Sequence, residues 1–252
     1  MKLYSAMPDN TYIISDLHLS EDRPQVFELF KNFIAYICED KSCQALYILG
    51  DFFDYWIGDD NLTDFNLAVI NQLKELKLHN INLYFMHGNR DFFIGKEFAK
   101  MTHAELLGDT CEIPFKNKRI VLAHGDTLCT DDISYQRFRK FSRIKFFQKI
   151  YLAFPLSLRQ KIALKLRSKS KNKGQRLVIQ VDVTEKGVNQ FKDNNTILIH
   201  GHTHKMAVHR DGQFVRAVLS DWHDTGSYIF VTDKAVTLHS WPNRACLEKI
   251  SE

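Results

Sequence analysis

Five times along the chain a short, almost unbroken apolar run stops abruptly at a polar residue: YIISD (12–16), ALYILGD (45–51), INLYFMHGN (81–89), IVLAHGD (120–126) and ILIHGHTH (197–204). Runs of this length bounded by Gly and Asp predict strands buried on both faces. Between the first three, apolar residues recur three and four positions apart: Val26, Phe27, Phe30, Phe33, Ile34 and Ile37, then Phe65, Val69, Leu73 and Leu76. That spacing predicts amphipathic helices. Alternating strands and helices imply a mostly parallel sheet with helices packed on it. A later block, FVRAVLSDW, SYIFVTD and AVTLHSW within 214–241, has strand composition without intervening helices. It predicts antiparallel strands, and the whole chain predicts a layered α/β sandwich.

One stretch breaks the alternation. Ile144, Phe147, Tyr151 and Phe154 keep a helical spacing, as do Leu158, Ile162 and Leu166, and Pro155 falls between the two sets. Two amphipathic helices are therefore expected, inserted between the fourth and fifth core strands. Charge marks the same place. Residues 136–176 hold 14 Lys and Arg and no Asp or Glu, so 20 basic residues face 30 acidic ones in the rest of the chain. A mildly acidic body carrying one strongly basic segment points to an anionic partner: nucleic acid, anionic lipid or a phosphorylated substrate. A solvated helical face is the plain alternative.

Composition narrows the class. With 44% apolar and 25% charged residues the 252-residue chain is globular, not disordered or low in complexity. No linker or repeat divides it, so a single domain spanning 1–252 is expected, with 136–176 as an insertion within it. No run approaches the 18 apolar residues of a membrane span, and residues 1–16 lack the apolar stretch of a signal peptide. Five cysteines form no CxxC pair, which argues against a disulfide framework and for a reduced cytosolic protein.

The polar residues ending the runs are the candidate chemistry. In open α/β sheets ligands bind beyond the carboxyl ends of the strands. Asp16 and His18 lie two apart, on one face of an extended segment, and His202 and His204 repeat that spacing. Asp51 follows Gly50, which allows a sharp turn and leaves the carboxylate free to bridge two metals. Asn89 follows Gly88, and His124 precedes Gly125. Carboxylate, imidazole and amide ligands without cysteine suit Mn²⁺, Fe²⁺ or Zn²⁺ and disfavour a structural thiolate zinc. Each motif alone is weak, since an isolated Asp or Asn is more often a cap or a turn and an isolated histidine more often packing. Five in this order, each after a strand-like run, are specific. His200, His209 and His223 are less secure candidates, and His87 and His239 are read as structural.

The order D16LH, G50D51, G88N89RD, H124GD and G201HTH resembles the calcineurin-like metallophosphoesterase family. YILGDFFDYWIGDD (47–60), FMHGNRDFFIGKEFA (85–99), VLAHGDTLCTDD (121–132) and IHGHTHKMAVH (199–209) are similar to its branch of UDP-2,3-diacylglucosamine diphosphatases. The resemblance runs from about residue 12 to 240. It implies an α-β-β-α sandwich with the basic segment as a helical lid. It also implies two Mn²⁺ ions, one held by Asp16, His18, Asp51 and His204 and the other by Asp51, Asn89, His124 and His202. The implied reaction is hydrolysis of UDP-2,3-diacylglucosamine at the α-phosphorus to UMP and 2,3-diacylglucosamine 1-phosphate, in lipid A synthesis.

Other members place a histidine after Gly-Asn, whereas this chain has Arg90. A guanidinium grips phosphate oxygens but cannot transfer a proton near neutral pH, so Arg90 is expected to stabilise charge. A structural salt bridge is its alternative. The resemblance further assigns substrate contacts to Asn89, Arg90, Asp132, Ser170 and His202. After Ser170 the pattern departs from the family, and the remaining contacts fall on Lys173, with Asn172 as its rival, and on Arg176. A lipid substrate implies a peripheral enzyme on the cytoplasmic face of a bacterial inner membrane, meeting an anionic surface, with no nucleic acid and no obligate protein partner. The competing readings are a soluble nucleotide or nucleic-acid phosphodiesterase of the same fold and a non-catalytic scaffold.

Overall fold

The computed structural model describes residues 10–174 and 182–251, the side chains of 166–174 excepted. The first three apolar runs form β1 (Thr11–Ile14), β2 (Ala45–Ile48) and β3 (Asn82–Phe85), joined by α1 (Pro24–Glu39) and α2 (Asp64–Leu78). Pro24 starts α1, where a missing N–H costs nothing. The Thr63 side chain caps α2 by accepting the Asn66 N–H at 3.2 Å. There follow α3 (Lys96–Thr102), β4 (Ala104–Leu106), β5 (Thr110–Phe115) and β6 (Lys118–Ala123). The basic segment contributes α4 (Ile133–Ser142), α5 (Lys145–Leu152) and α6 (Leu156–Gly174). The chain ends through α7 (Glu185–Asn189), β7 (Thr196–His200), β8 (Ala207–Asp211), β9 (Phe214–Val218), β10 (Gly226–Val231), β11 (Val236–Trp241) and β12 (Cys246–Ser251).

The strands make two sheets, ordered β12-β11-β10-β1-β2-β3-β4 and β5-β6-β7-β9-β8. Within the first, β1 to β4 run parallel; within the second, β6, β7 and β9 do. Of the five runs read as doubly buried, β1, β2, β7 and the Ile120–Ala123 part of β6 are buried throughout, whereas β3 begins at an exposed Asn82 and leaves Tyr84 half-buried. One apolar cluster, with Phe30, Phe33, Ile48, Phe85 and Trp222, fills the space between the larger sheet and α1 to α3. A second, with Ile13, Leu49, Ile120, Leu122 and Ile199, lies between the sheets. A third, of Val121, Leu128, Leu198 and Phe214, is covered by Val183, Val188 and Phe191 around α7. The α-β-β-α sandwich is thus present, its second outer layer reduced to little more than α7.

Two expectations are corrected. The 214–241 block is not one antiparallel unit. Its first strand, β9, joins the smaller sheet parallel to β7, while β10 and β11 pair antiparallel in the larger one. The basic segment holds three helices in place of two. Arg143 caps the end of α4 and Ile144 the start of α5, a break that no Gly or Pro announces. Within the basic segment Arg159 is buried. It donates to Ile57 O (2.6 Å) and Phe154 O (2.9 Å) and pairs with Asp60.

Phe33 is fully buried and meets Tyr12, Tyr36, Trp222, Tyr228 and Trp241 ring to ring. Phe33→Ala should cost about 3–5 kcal/mol in urea unfolding. Leu78→Ala, at a side chain 73% exposed, should stay within about 0.5 kcal/mol.

Candidate metal centre

Because β1, β2 and β3 are parallel, and β6 and β7 are too, all five apolar runs end at one edge of the sandwich. The loops beyond β1 and β2 are zipped together: Asp16 N–H donates to Gly50 O (3.1 Å), His18 N–H to Asp51 O (2.9 Å) and Leu19 N–H to Phe52 O (2.8 Å). The loop after β3 presses on them so closely that a Cβ on Gly88 would stand 2.2 Å from both Asp51 N and Asp51 Oδ1. Within the smaller sheet, Gly201 N–H donates to His124 O (2.9 Å), and across the two sheets His202 N–H donates to Asp16 Oδ2 (2.8 Å). Asp16, His18, Asp51, His202 and His204 all have φ between 48° and 67°. Such a left-handed backbone costs about 1–3 kcal/mol at a residue with a side chain and gathers where function demands it.

Two groups result. Asp16, His18 and His204 bring ligand-type atoms within 4.8 Å of one another, as do Asp51, His124 and His202. Asn89 joins the second group, its Oδ1 being 3.0 Å from His124 Nε2. Asp51 stands between them. Its Oδ1 is 3.7 Å from His124 Nε2 and its Oδ2 4.0 Å from His18 Nδ1. All seven residues nominated from the sequence therefore meet in one place.

The donor set fits divalent cations. Asp16 Oδ2 accepts from Ser15 Oγ and His202 N–H, while Oδ1 is buried without a hydrogen bond, as is His18 Nδ1. His18 Nε2 and His204 Nε2 face each other at 3.2 Å, with Asp16 Oδ1 3.4 Å from the latter. His124 Nδ1 lies 2.8 Å from Leu49 O, which can only accept, so its Nε2 offers a lone pair to the site. Unshared pairs converging in a buried pocket are costly without a cation among them.

Ionisation follows the crowding. Burial disfavours the charged ring of His204, but Asp16 and Asp221 prevail and push its pKa up to about 10. Burial, with His124 alongside, brings His202 down to about 4. Burial raises the carboxyl of Asp51 despite His124 and Arg90, whereas its histidine neighbours outweigh burial and hold Asp16 below the usual range.

Arg90 lies at the rim, a third of its side chain exposed. Nη1 donates to Asp54 Oδ1 (2.8 Å), Nε is 3.6 Å from Asp51 Oδ2, and its backbone N–H donates to Asp51 Oδ1 (2.8 Å). Among the described residues Arg90 Nη2 has no hydrogen-bond or ion-pair partner. Asp132 caps α4, accepting the Tyr135 N–H at 2.9 Å and Ser134 Oγ at 2.7 Å. Ser170, Asn172 and Lys173 fall on α6 with side chains outside the described residues, and Arg176 lies outside them altogether. His200 is buried but turned from the clusters, between Gly201 O (2.8 Å) and Arg216 Nη1 (3.2 Å). His87 bonds Ile94 O (2.7 Å), and His239 stacks on Tyr228, both structural as read. His209 is exposed on β8, and His223 pairs with Asp221 at 2.8 Å.

Three supporting residues carried no signal that spacing could reveal. Buried Asp91 accepts N–H groups from Phe52 and Gly88, both at 2.8 Å, and locks the second and third loops; burial and Asp51 push its pKa up to about 6. Asp221 backs His204 Nδ1 at 3.4 Å. Asp126 is buried beneath α4, accepting from Arg139 Nε at 2.8 Å and from Tyr135 Oη.

The family model for calcineurin-like phosphoesterases matches residues 10–206. The UDP-2,3-diacylglucosamine hydrolase of Haemophilus influenzae (strain PittGG) is 43% identical over 232 residues, covering 90% of this chain and 96% of that protein. The protein of the same name from Proteus mirabilis (strain HI4320) is 43% identical over 239 residues, covering 92% and 99%. Among solved structures, Vacuolar Protein Sorting 29 from Cryptosporidium parvum is similar over 97% of this chain and 98% of its own, with a TM-score of 0.45 and 14% identity.

A Cβ at Gly88 would collide with buried, fixed atoms, whereas one at Gly108 would meet only an ordinary 3.6 Å contact. Gly88→Ala should weaken Mn²⁺ binding about 10–100-fold by calorimetric titration, the scale of a disturbed ligand support. Gly108→Ala should leave it unchanged.

Proposed function

This chain belongs to the calcineurin-like phosphoesterase family, and from that premise we propose that it hydrolyses the pyrophosphate bond of UDP-2,3-diacylglucosamine. Attack at the α-phosphorus releases UMP and 2,3-diacylglucosamine 1-phosphate. The observation that carries the reading is the pair of ligand clusters with Asp51 between them. On this reading Asp16, His18, Asp51 and His204 would hold one Mn²⁺ ion, and Asp51, Asn89, His124 and His202 the other. Two such ions, when bound, supply an activated water and a positive clamp for the phosphoryl oxygens.

The chain's own residues do the rest. Arg90, braced by Asp54, presents its guanidinium at the rim and hydrogen-bonds the phosphoryl group as charge develops. It moves no proton, and the departing phosphate, already a stabilised anion, needs none. Asn89, Asp132, Ser170, Lys173, Arg176 and His202 contact the substrate.

The helices of 136–176 act as a lid that receives the acyl chains and docks, as a peripheral element, on the anionic cytoplasmic face of the inner membrane. Ten of the fifteen exposed large apolar side chains among the described residues lie between Ile133 and Leu164, interleaved with Lys and Arg. The aliphatic members, such as Ile144, Ile150, Leu152, Leu158 and Leu164, suit acyl chains better than nucleic-acid bases, which stack on aromatic rings. No helix of the described residues is long and apolar enough to cross a membrane. Phe147 and Tyr151 are half-buried, stacking on Phe141 (4.0 Å) and Phe93 (4.4 Å), so docking falls to exposed side chains such as Phe146 and Ile150.

The direct test is to incubate Mn²⁺-loaded protein with UDP-2,3-diacylglucosamine and identify products. UMP is expected; inactivity beside hydrolysis of nucleic acid or simple phosphodiesters would favour the soluble phosphodiesterase. Arg90→Ala should retain its metal and lose about 10²–10³ in turnover, by analogy with a lost oxyanion donor. Loss of metal, or a full rate, would make Arg90 structural. Replacing Phe146 and Ile150 with Ser should reduce sedimentation with phosphatidylglycerol vesicles while sparing a water-soluble phosphodiester. Buried hydrocarbon contributes about 0.8 kcal/mol per CH₂ to such binding. Equal effects on both would place these side chains in the fold instead.

A further inference from the structure

Helix α4 and the residue just past it hold two of the loops that carry the second cluster, those after β3 and β6. Along its length, Tyr135 Oη and Arg139 Nε donate to the Asp126 carboxylate, two residues past His124, and Gln136 Nε2 donates to Asp126 O (2.8 Å) and Cys129 O (3.0 Å). Arg139 Nη2 also pairs with Asp109 at 2.8 Å. Just past the helix, Arg143 Nη2 donates to Gly88 O (2.8 Å), the carbonyl of the peptide leading into Asn89, and its guanidinium lies over the Phe92 ring (4.9 Å). The Tyr135 ring stacks on that of His202, with centroids 6.4 Å apart.

The first cluster is held differently. Asp16 leans on Ser15 and the His202 N–H, the His18 carbonyl accepts from Arg23, and His204 is backed by Asp221. Among the described hydrogen bonds, ion pairs and ring contacts, no side chain from α4 or Arg143 reaches any of these three.

We propose that α4 is the outer support of the second cluster alone, with Arg139 and Arg143 as positioning residues for His124 and Asn89. A guanidinium fixed on Gly88 O sets the plane of the 88–89 peptide, and with it the direction of Asn89 Oδ1 toward His124. The Asp126–Arg139 pair ties the strand end that carries His124 to the same helix. A lid segment is thereby coupled to one metal position and not to the other. The inference rests on reading the clusters as two cation sites.

The test is calorimetric titration of the metal-free full chain with Mn²⁺, alongside Mn²⁺ electron paramagnetic resonance, for wild type, Arg139→Gln, Arg143→Gln and Arg137→Gln. Arg137 is the control, an exposed cation of the same helix. Circular dichroism verifies folding, and half-buried Arg143 can be changed without opening the core. Wild type should bind two ions. Arg139→Gln and Arg143→Gln should each weaken one binding step about 10–100-fold and leave the other unchanged, with the exchange-coupled signal giving way to that of an isolated ion. Arg137→Gln should match wild type. The inference is overturned if both variants keep both steps, if both steps weaken equally, or if Arg137→Gln does the same. A wild type that binds fewer than two ions would instead overturn the two-cation reading, and this inference with it.

Discussion

The carboxylate of Asp51 is the constraint around which the rest of this edge is arranged. It is buried between two groups of imidazoles, one oxygen toward His124 and the other toward His18. A charge so placed is expensive unless it is compensated, and the Arg90 backbone N–H and guanidinium offset only part of it. The loops close around it at distances that tolerate glycine and nothing larger at Gly88, and Asp91 clamps the loops on either side. Strained backbone at Asp16, His18, Asp51, His202 and His204 shows the same priority: side-chain direction is held at the expense of backbone comfort.

The fold is the means of delivering those directions. Two sheets of different connectivity present parallel strand ends at one edge, and two hydrogen bonds, from His202 N–H to Asp16 and from His124 Nδ1 to Leu49 O, fasten one sheet to the other there. Cohesion comes from apolar layers well behind the edge, between the sheets and beneath α1 to α3. Packing and chemistry are thus separated along the strands. That is why each strand reads as a buried apolar run followed abruptly by a polar residue.

This separation is what made the site legible in the sequence. Asp16, His18, Asp51, Asn89, His124, His202 and His204 each follow a run whose period and composition announce a strand, and parallel pairing alone then brings them together. The supports were not legible, because they act through particular hydrogen bonds and ion pairs that have no period. Asp91 is chosen by two backbone N–H groups, and Asp221 by a histidine seventeen residues earlier in the chain. Arg159 is set apart by nothing in its spacing from the other cations of the basic segment, yet it is buried on Asp60 and two carbonyls. The sheet to which β9 belongs, and the break between α4 and α5, likewise depend on tertiary partners. Neither choice leaves a mark in hydrophobic spacing.

If Asp51 joins two cation sites, its loss cannot be a local event. The measurement that tests this most directly is the metal content of Asp51→Ala beside His204→Ala, after loading with Mn²⁺ and exhaustive dialysis. Asp51→Ala should retain almost no tightly held ion, and His204→Ala should retain one of two. Two tightly bound ions per chain in Asp51→Ala would contradict the bridging role and the account built on it.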